Sequence, residues 1–191
     1  MSLLLLLCLG FLPSVAACPS YCLCASDIIS CSGRNLHNAL YALPTDWILQ
    51  PFDRLTTLVL SRNSISQIEV NAFILTPHLL HLDLSSNQLT VLNLSIFTGL
   101  KELKELLLFD NQIVQINPGA FSDLHSLQKL YLSGNRLTTF PLGIYWEPGG
   151  PRNLTFLDLS YNKLSKVSGN SGPGPLCSHP SSCSGFRVKN I

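Results

Sequence analysis

The side chains best suited to do chemistry in this chain are its cysteines, four of which are crowded into one short segment. They follow the spacing Cys18-x3-Cys22-x-Cys24-x6-Cys31. In a secreted protein such crowding is typical of disulfide bonds, and the cluster contains no histidine that would favour a zinc site. Four cysteines allow three pairings, and the spacing alone does not choose among them. We therefore expect two bridges that cap the segment that follows.

A second group that could bind a metal or form a bridge is Cys177-Ser178-His179-x3-Cys183. We interpret it as a tail disulfide or as two unpaired thiols. The five histidines have no metal-binding spacing to one another, and no nucleophile elbow, phosphate loop or zinc-protease motif is present. Lys and Arg total 12 against 11 Asp and Glu, so charge gives no reason to expect nucleic acid or anionic membrane as a partner. The sequence predicts no enzyme, no metal and no cofactor.

Leucines rather than reactive side chains dominate the rest of the chain, in five copies of the pattern L-x-x-L-x-L-x-x-N-x-L. The first copy consists of Leu55, Leu58, Leu60, Asn63 and Ile65. The next three copies follow at steps of 24 residues, and the fifth follows at a step of 27. The pattern predicts an α/β-type solenoid, a leucine-rich-repeat horseshoe with a parallel sheet on its concave face, little helix and a cysteine-rich N-terminal cap.

Three further features of the repeats are interpreted as structural. The asparagine of each copy is predicted to satisfy backbone groups where the chain turns off a strand. An aromatic residue recurs late in each of the first four copies and predicts a buried spine: Phe73, Phe97, Phe121 and Tyr145. A degenerate copy precedes the first good one and consists of Ile29, Cys31 and Leu36. The stretch 45–54, with Trp47, fits no copy and is expected to be an irregular turn.

The N-terminus predicts export from the cell. The nearly unbroken apolar run Leu3 to Leu12, followed by Val15-Ala16-Ala17, predicts a signal peptide over residues 1–17, cleaved after Ala17. The run is too short for a spanning helix, which needs about 20 apolar residues. We divide the remainder into a cysteine-rich cap and irregular segment over 18–54, five repeats over 55–167 and a disordered Gly/Ser/Pro-rich tail over 168–191. The mature chain is expected to be soluble and extracellular.

The residues between the consensus leucines point outward and define the face available for binding. Most are small and polar, but one group is apolar or aromatic and falls on three adjacent copies. This aromatic patch consists of Leu107, Phe109, Tyr131, Phe156 and Tyr161. Exposed aromatic patches often mark contact sites, so the hypothesis is a protein–protein contact, against the alternative that a glycan, a neighbouring domain or a missing C-terminal part covers the patch.

Two glycosylation sequons occur, at Asn93-Leu94-Ser95 and Asn153-Leu154-Thr155. Asn93 lies after the second strand, away from the outward-facing positions. Asn153 directly precedes a consensus leucine. Glycans at both asparagines would leave the concave face bare for binding.

Three strings of residues resemble a known family. The cluster containing CLCASDIISC resembles the N-terminal cap of extracellular leucine-rich-repeat proteins. That string, HLDLSSNQL at 81–89 and LQKLYLSGN at 127–135 are together most similar to the amphoterin-induced transmembrane adhesion proteins. The resemblance covers residues 18–167. It implies that Cys18 pairs with Cys24 and that Cys22 pairs with Cys31.

The family resemblance also implies an architecture and a function. The family has six repeats between two cysteine caps, then an immunoglobulin domain, one membrane span and a short cytoplasmic tail. It implies homophilic and heterophilic adhesion, mainly in neurons, with dimers formed through the concave face. The implied partners are therefore a second copy of the chain and related adhesion proteins.

The chain departs from that architecture in two places. It has five good copies where the family has six, and the pattern stops after Val167 without the family's C-terminal cap. We therefore expect a truncated, spliced or incomplete form whose last copy leaves Leu157, Leu159 and Leu164 poorly covered. The alternatives to an adhesion module are a secreted decoy for the full-length protein and a pattern-recognition protein that binds microbial glycan or lipid.

Overall fold

The computed structural model describes residues 18–37, 54–141, 144, 151–164 and, for the backbone, 187–189. The predicted signal peptide, the Trp47 stretch up to residue 53, Tyr145, Val167 and the pair Cys177 and Cys183 lie outside these residues. Within the described ranges, no helix is long and apolar enough to cross a membrane.

Ten short strands, the segments between them and a helical position at Ile144 make up the described part of the chain. They are β1 (Leu23–Cys24), β2 (Ile28–Ser30), β3 (Thr57–Val59), β4 (His81–Asp83), β5 (Val91–Leu92), β6 (Glu105–Leu107), β7 (Gln115–Ile116), β8 (Lys129–Tyr131), β9 (Phe156–Asp158) and β10 (Arg187–Lys189). Eight strands form one sheet in the order β1-β2-β3-β4-β6-β8-β9-β10, and β5 pairs with β7 in a second, small sheet. Every pair except β1–β2 is parallel, which confirms the predicted solenoid.

The register of the large sheet follows from the consensus leucines. In β3, β4, β6, β8 and β9 one leucine lies between two outward residues, so the leucine side chain points inward. The central leucines of neighbouring copies are register partners, as Leu58 is of Leu82 and Leu82 of Leu106. All of them are fully buried. The core is thus a column of stacked leucines, and each copy covers the apolar face of the one before it.

The asparagine column does what the sequence predicts. Asn87 donates from Nδ2 to the carbonyl oxygens of Leu60 at 3.0 Å and of Leu84 at 3.0 Å. Its Oδ1 accepts from the backbone N–H of Ile65 at 3.0 Å. Asn111 and Asn135 repeat this arrangement one copy further on each time. One buried amide therefore joins two successive coils by satisfying donors and acceptors that the turn leaves unpaired.

The aromatic spine is also confirmed where the structure describes it. The ring centroids of Phe73 and Phe97 lie 6.2 Å apart, and those of Phe97 and Phe121 lie 5.9 Å apart, with the planes nearly parallel. All three rings are buried. The rings stack behind the sheet, on the side of the coil away from the outward-facing residues.

The N-terminal cap is held by two disulfides and a repeat-like strand. The structure pairs Cys18 with Cys24 and Cys22 with Cys31, the pairing that the family resemblance implied. Strand β2 pairs in parallel with β3, with Ile29 the register partner of Leu58. Asn63 donates to the carbonyl oxygen of Cys31 at 2.9 Å, as if to a preceding repeat. The degenerate copy is therefore a sixth coil, covered at its outer edge by β1.

The prediction that the tail is disordered is wrong at Arg187–Lys189. These residues form β10, which pairs in parallel with β9. An unpaired β9 would leave backbone N–H and C=O groups open along its edge, and β10 satisfies them. The expectation that the last copy is poorly covered is also wrong for Leu157 and Leu159, which are buried. Leu164 is half-buried. The rest of the tail lies outside the described residues.

Candidate functional site

The outward face of the large sheet is the surface that the repeats leave free. Because the register is continuous from β2 to β9, outward side chains align in rows that cross the sheet. One row runs Ile28, Thr57, His81, Glu105, Lys129 and Phe156. The next runs Ser30, Val59, Asp83, Leu107, Tyr131 and Asp158. We call this surface the concave face, since the parallel sheet lines the inner side of a leucine-rich-repeat horseshoe.

The structure brings most of the aromatic patch together. The rings of Tyr131 and Phe156 are 5.1 Å apart and tilted by 45°. Leu107 is the register partner of Tyr131 on the neighbouring strand. Phe109 follows two residues after Leu107, on the same outward side. These four side chains are half-buried, so each still presents apolar surface to solvent.

Tyr161 is placed differently from the other members of the patch. It lies on the turn after β9 with a φ of 57° and its side chain is 85% exposed. The corresponding turn residue of each earlier copy, such as Arg62 or Asp110, has a similar left-handed conformation. Tyr161 therefore stands at the end of the coil, at the rim of the concave face.

A polar cluster centred on Glu105 adjoins the patch. His81 Nδ1 lies 3.1 Å from Glu105 Oε2, and Lys129 Nζ lies 3.5 Å from Glu105 Oε1. Burial together with the charge of Glu105 raises the pKa of the Tyr131 hydroxyl. Solvent-facing ion pairs contribute about 0–1 kcal/mol each, so this cluster orients its side chains more than it stabilises the fold. The 24-residue spacing of His81, Glu105 and Lys129 predicts their alignment, although sequence reasoning did not identify the cluster.

Sequence reasoning also missed an apolar strip at the other end of the concave face. Ile28 is the first member of its row and is 40% exposed. Leu23 pairs with Ser30 across β1 and β2 and is 69% exposed. Val59, the partner of Ser30 on β3, is half-buried. We call Leu23, Ile28 and Val59 the N-terminal strip. The sequence of the degenerate copy contained a signal for this strip. Ile28 directly precedes the inward Ile29, just as the outward residue His81 directly precedes the inward Leu82.

Two other kinds of site find less support. Among the described residues, no group of three or more His, Cys, Asp or Glu could hold a metal ion. A cavity of about 250 Å³ lies beside β7, lined by residues 114–121 and by Leu137, Thr139, Phe140, Pro141 and Ile144. Its lining mixes apolar side chains with Gln115 and Asn117, and it lies away from the strands of the concave face. The concave face is therefore the better candidate for a binding surface.

A solenoid of stacked coils with an open sheet face is the architecture of repeat-built interaction modules, not of an enzyme. The family described as "Leucine rich repeat" matches residues 37–89, 53–113 and 77–137, and a second family of that description matches residues 153–183. The chain belongs to the leucine-rich-repeat family.

Several relatives share one name, amphoterin-induced protein. Amphoterin-induced protein 2 of Mus musculus is 56% identical over 167 residues, which is 78% of this chain and 32% of that protein. Its Homo sapiens counterpart is 54% identical over the same shares. Amphoterin-induced protein 1 of Homo sapiens is 39% identical over 37% of this chain and 18% of that protein. The resemblance to this family is confirmed, and the chain spans about a third of the length of the relatives first named.

Solved structures show the same fold in larger proteins. The crystal structure of a TLR13–ssRNA13 complex matches with a TM-score of 0.56 and 32% identity, over 60% of this chain and 16% of that one. The structure of the Drosophila Toll–Spätzle complex matches with a TM-score of 0.53 and 26% identity, over 58% of this chain and 14% of that one. Both support a short stretch of leucine-rich-repeat solenoid.

Proposed function

We propose that this chain is an extracellular adhesion module that binds a second copy of itself and related adhesion proteins through its concave face. The observation that carries the proposal is the aromatic patch, in which the rings of Tyr131 and Phe156 pack 5.1 Å apart on the outward face of the large sheet. Aromatic side chains supply much of the binding energy in protein interfaces. The similarity to amphoterin-induced proteins supports the same function.

An extracellular location is supported by the chemistry of the cap. Two disulfides close within the first described residues, and such bonds persist in oxidising compartments. After export, a protein either stays at the cell surface or is secreted. We propose the cell surface for a full-length protein and secretion for this chain alone.

The two sequons fit glycosylation that spares the binding face. Asn93 and Asn153 are both exposed. Asn93 follows β5, on the second small sheet rather than on the large one. Asn153 precedes β9 and donates to the carbonyl oxygen of His125 at 2.9 Å. We propose that both carry glycans, and peptide mass spectrometry before and after enzymatic deglycosylation would test each asparagine.

The contact is tested by charging the aromatic patch. In the secreted chain, Phe109→Asp combined with Tyr131→Asp places two carboxylates beside Glu105 and Asp158, and we expect self-association to weaken at least about 100-fold. Sedimentation velocity over a concentration series measures the dissociation constant, and aggregation of protein-coated beads measures adhesion. Mixed aggregation with beads coated with amphoterin-induced protein 2 measures heterophilic adhesion.

A matched control separates lost contact from lost folding. Val70→Asp combined with Val114→Asp adds the same charge at exposed apolar residues that lie off the large sheet. Circular dichroism and the melting temperature of both double variants show whether the coil is intact. If the patch variant is folded and associates like the unmodified chain, the concave face is not the contact.

A further inference from the structure

A turn behind the sheet carries an exposed apolar side chain in each of the first three copies. These side chains are Val70, Leu94 and Pro118, which recur at steps of 24 residues. Val70 is 62% exposed, Leu94 is 59% exposed and Pro118 is exposed as well. We call these three residues the turn row. They lie off the large sheet, so a contact through the concave face leaves them uncovered. Exposed apolar side chains that line up on neighbouring coils are typical of a surface that another group covers.

Each member of the turn row is followed by a residue in the left-handed conformation. Asn71 has a φ of 65°, Ser95 a φ of 60° and Gly119 a φ of 77°. Glycine and asparagine suit this conformation, whereas serine is less favoured there. Ser95 is also the hydroxyl residue of the sequon that begins at Asn93, and a sequon requires Ser or Thr at that position. The second turn therefore has a sequence that suits glycosylation better than it suits the turn.

The sequon asparagine is oriented by a chain of amide hydrogen bonds. Gln115 Nε2 donates to Asn117 Oδ1, and Asn117 Nδ2 donates to Asn93 Oδ1 at 3.2 Å. A glycan is attached through Nδ2, so it leaves the hydrogen bond to Oδ1 intact. The two atoms lie on opposite sides of the Cβ–Cγ bond. Because Oδ1 points to the third copy, Nδ2 points towards the first copy, to which Val70 belongs.

Resting on the glycosylation of Asn93 proposed above, we propose that the first sugar of this glycan packs on Leu94 and Val70 and covers the apolar surface of the first two turns. N-acetylglucosamine has the chemistry that such a surface needs. Its ring has an apolar face of C–H groups, and its acetamido group ends in a methyl. Burying these groups against the two side chains is favourable, while the sugar hydroxyls stay in water. The glycan is thereby a part of the folded surface.

The second sequon lies in different surroundings. Asn153 donates to the carbonyl oxygen of His125 at 2.9 Å, and the hydroxyl of Thr155 donates to the carbonyl oxygen of Gln128 at 3.1 Å. His125 and Arg152, the residue before the sequon, are both exposed and polar. A glycan at Asn153 starts on polar surface, so the covering role is assigned to Asn93 alone.

A double-mutant cycle tests the contact in the full chain, secreted from cells that attach N-glycans. Ser95→Gly removes the sequon, keeps Asn93 and relieves the left-handed turn. Val70→Ser removes apolar surface outside the sequon. We expect Ser95→Gly to shift the melting temperature about 2–4 °C further downward in the Val70 chain than in the Val70→Ser chain. The relief of the turn is the same in both backgrounds, so it cancels in this difference.

Val114→Ser is the matched control for Val70→Ser. Val114 is 49% exposed and belongs to the third copy, on the side to which Asn93 Oδ1 points. We expect its coupling to Ser95→Gly to stay within about 1 °C, because residues without a shared contact are additive. Nuclear Overhauser spectra of the glycosylated chain, with labelled valine and leucine methyls, show the contact directly. The acetamido methyl of the first sugar should give cross-peaks to Val70 and Leu94 and none to Val114.

Mass spectrometry of the exported chain shows first whether Asn93 is modified. If it is unmodified, the glycosylation proposed for Asn93 fails together with this inference, and the concave-face contact is untouched. If Asn93 is modified but either the coupling or the cross-peaks to Val70 are missing, this inference alone is wrong. Equal coupling at Val70 and Val114 also overturns it, because the glycan then stabilises the coil without a specific contact. If Val70→Ser weakens self-association of the glycosylated chain in sedimentation velocity, a second copy covers the turn row instead of the sugar.

Discussion

At the scale of single residues, the buried asparagines matter more to this fold than any charged group. Asn111 donates to the carbonyl oxygens of Leu84 and Leu108 at 3.0 and 3.2 Å and accepts from the N–H of Leu89 at 3.1 Å. All these partners are backbone groups in turns, which have no strand neighbour to bond. A side chain with both donors and an acceptor is therefore required at this position.

Asn111→Ala removes the amide and leaves several buried backbone groups without partners. Each such group costs about 1–3 kcal/mol, so we expect a loss of about 2–5 kcal/mol in the free energy of unfolding. Urea denaturation followed by circular dichroism measures it. Gln88→Ala, an exposed amide that directly follows Asn87, should change stability by less than about 0.5 kcal/mol. Equal effects of the two substitutions would show that the asparagine column carries no special share of stability.

At the scale of elements, the phenylalanine stack holds the back of the coil as the leucine column holds the sheet. Phe97 is 1% exposed and lies between two rings, whereas each of its neighbours has one described ring partner. The stack joins three successive copies. Loss of the central ring should therefore reduce the stability of the copies on both sides.

We expect Phe97→Ala to reduce the free energy of unfolding by about 3–5 kcal/mol, because a ring is lost from a packed interior. Leu94→Ala is the matched control, since Leu94 lies in the same turn and is 59% exposed. Urea titrations of both variants give the comparison. A Phe97→Ala chain as stable as the Leu94→Ala chain would mean that the coil collapses around the cavity without cost.

The repeat elements were predictable because their signal is local and recurs. Leu58, Asn63 and Phe73 each belong to a spacing that appears several times, so their inward positions follow from periodicity alone. The aromatic patch was predictable for the same reason, through the residues between the leucines. Ile28 and Leu23 were not, because the degenerate copy lacks the consensus and β1 turns back in the opposite direction.

Strand β10 was beyond sequence reasoning for a different reason. The composition around it, rich in Gly, Ser and Pro, predicts disorder, and a three-residue strand has no periodicity of its own. Its pairing depends on the open edge that β9 offers, which is a property of the assembled sheet. Long-range pairing of this kind leaves no local mark on the sequence.

At the scale of the whole molecule, the question is what closes the C-terminal end of the solenoid. Disulfides and β1 close the first coil, whereas the last coil is closed by β10 through its parallel pairing with β9. Register partners such as Val188 and Leu157 place this strand directly beside the last buried leucine of the sheet. A sheet whose edge strand is removed offers its backbone to another chain.

Truncation tests this closure. A chain ending at residue 186 lacks β10, and we expect the loss of its strand pairing to cost about 1–2 kcal/mol. For a chain of this size that lowers the melting temperature by about 2–8 °C. The bare β9 edge should also add a mode of self-association that the Phe109 and Tyr131 double substitution does not abolish, because it uses backbone groups rather than the concave face.

A chain ending at residue 189 is the matched control, since it loses only the last two residues and keeps β10. If the two truncated chains melt at the same temperature and associate alike, β10 does not close the sheet, and the stability of the last coil must come from the leucine column and from Asn162, which bonds back to the carbonyl oxygen of Leu132 at 2.8 Å.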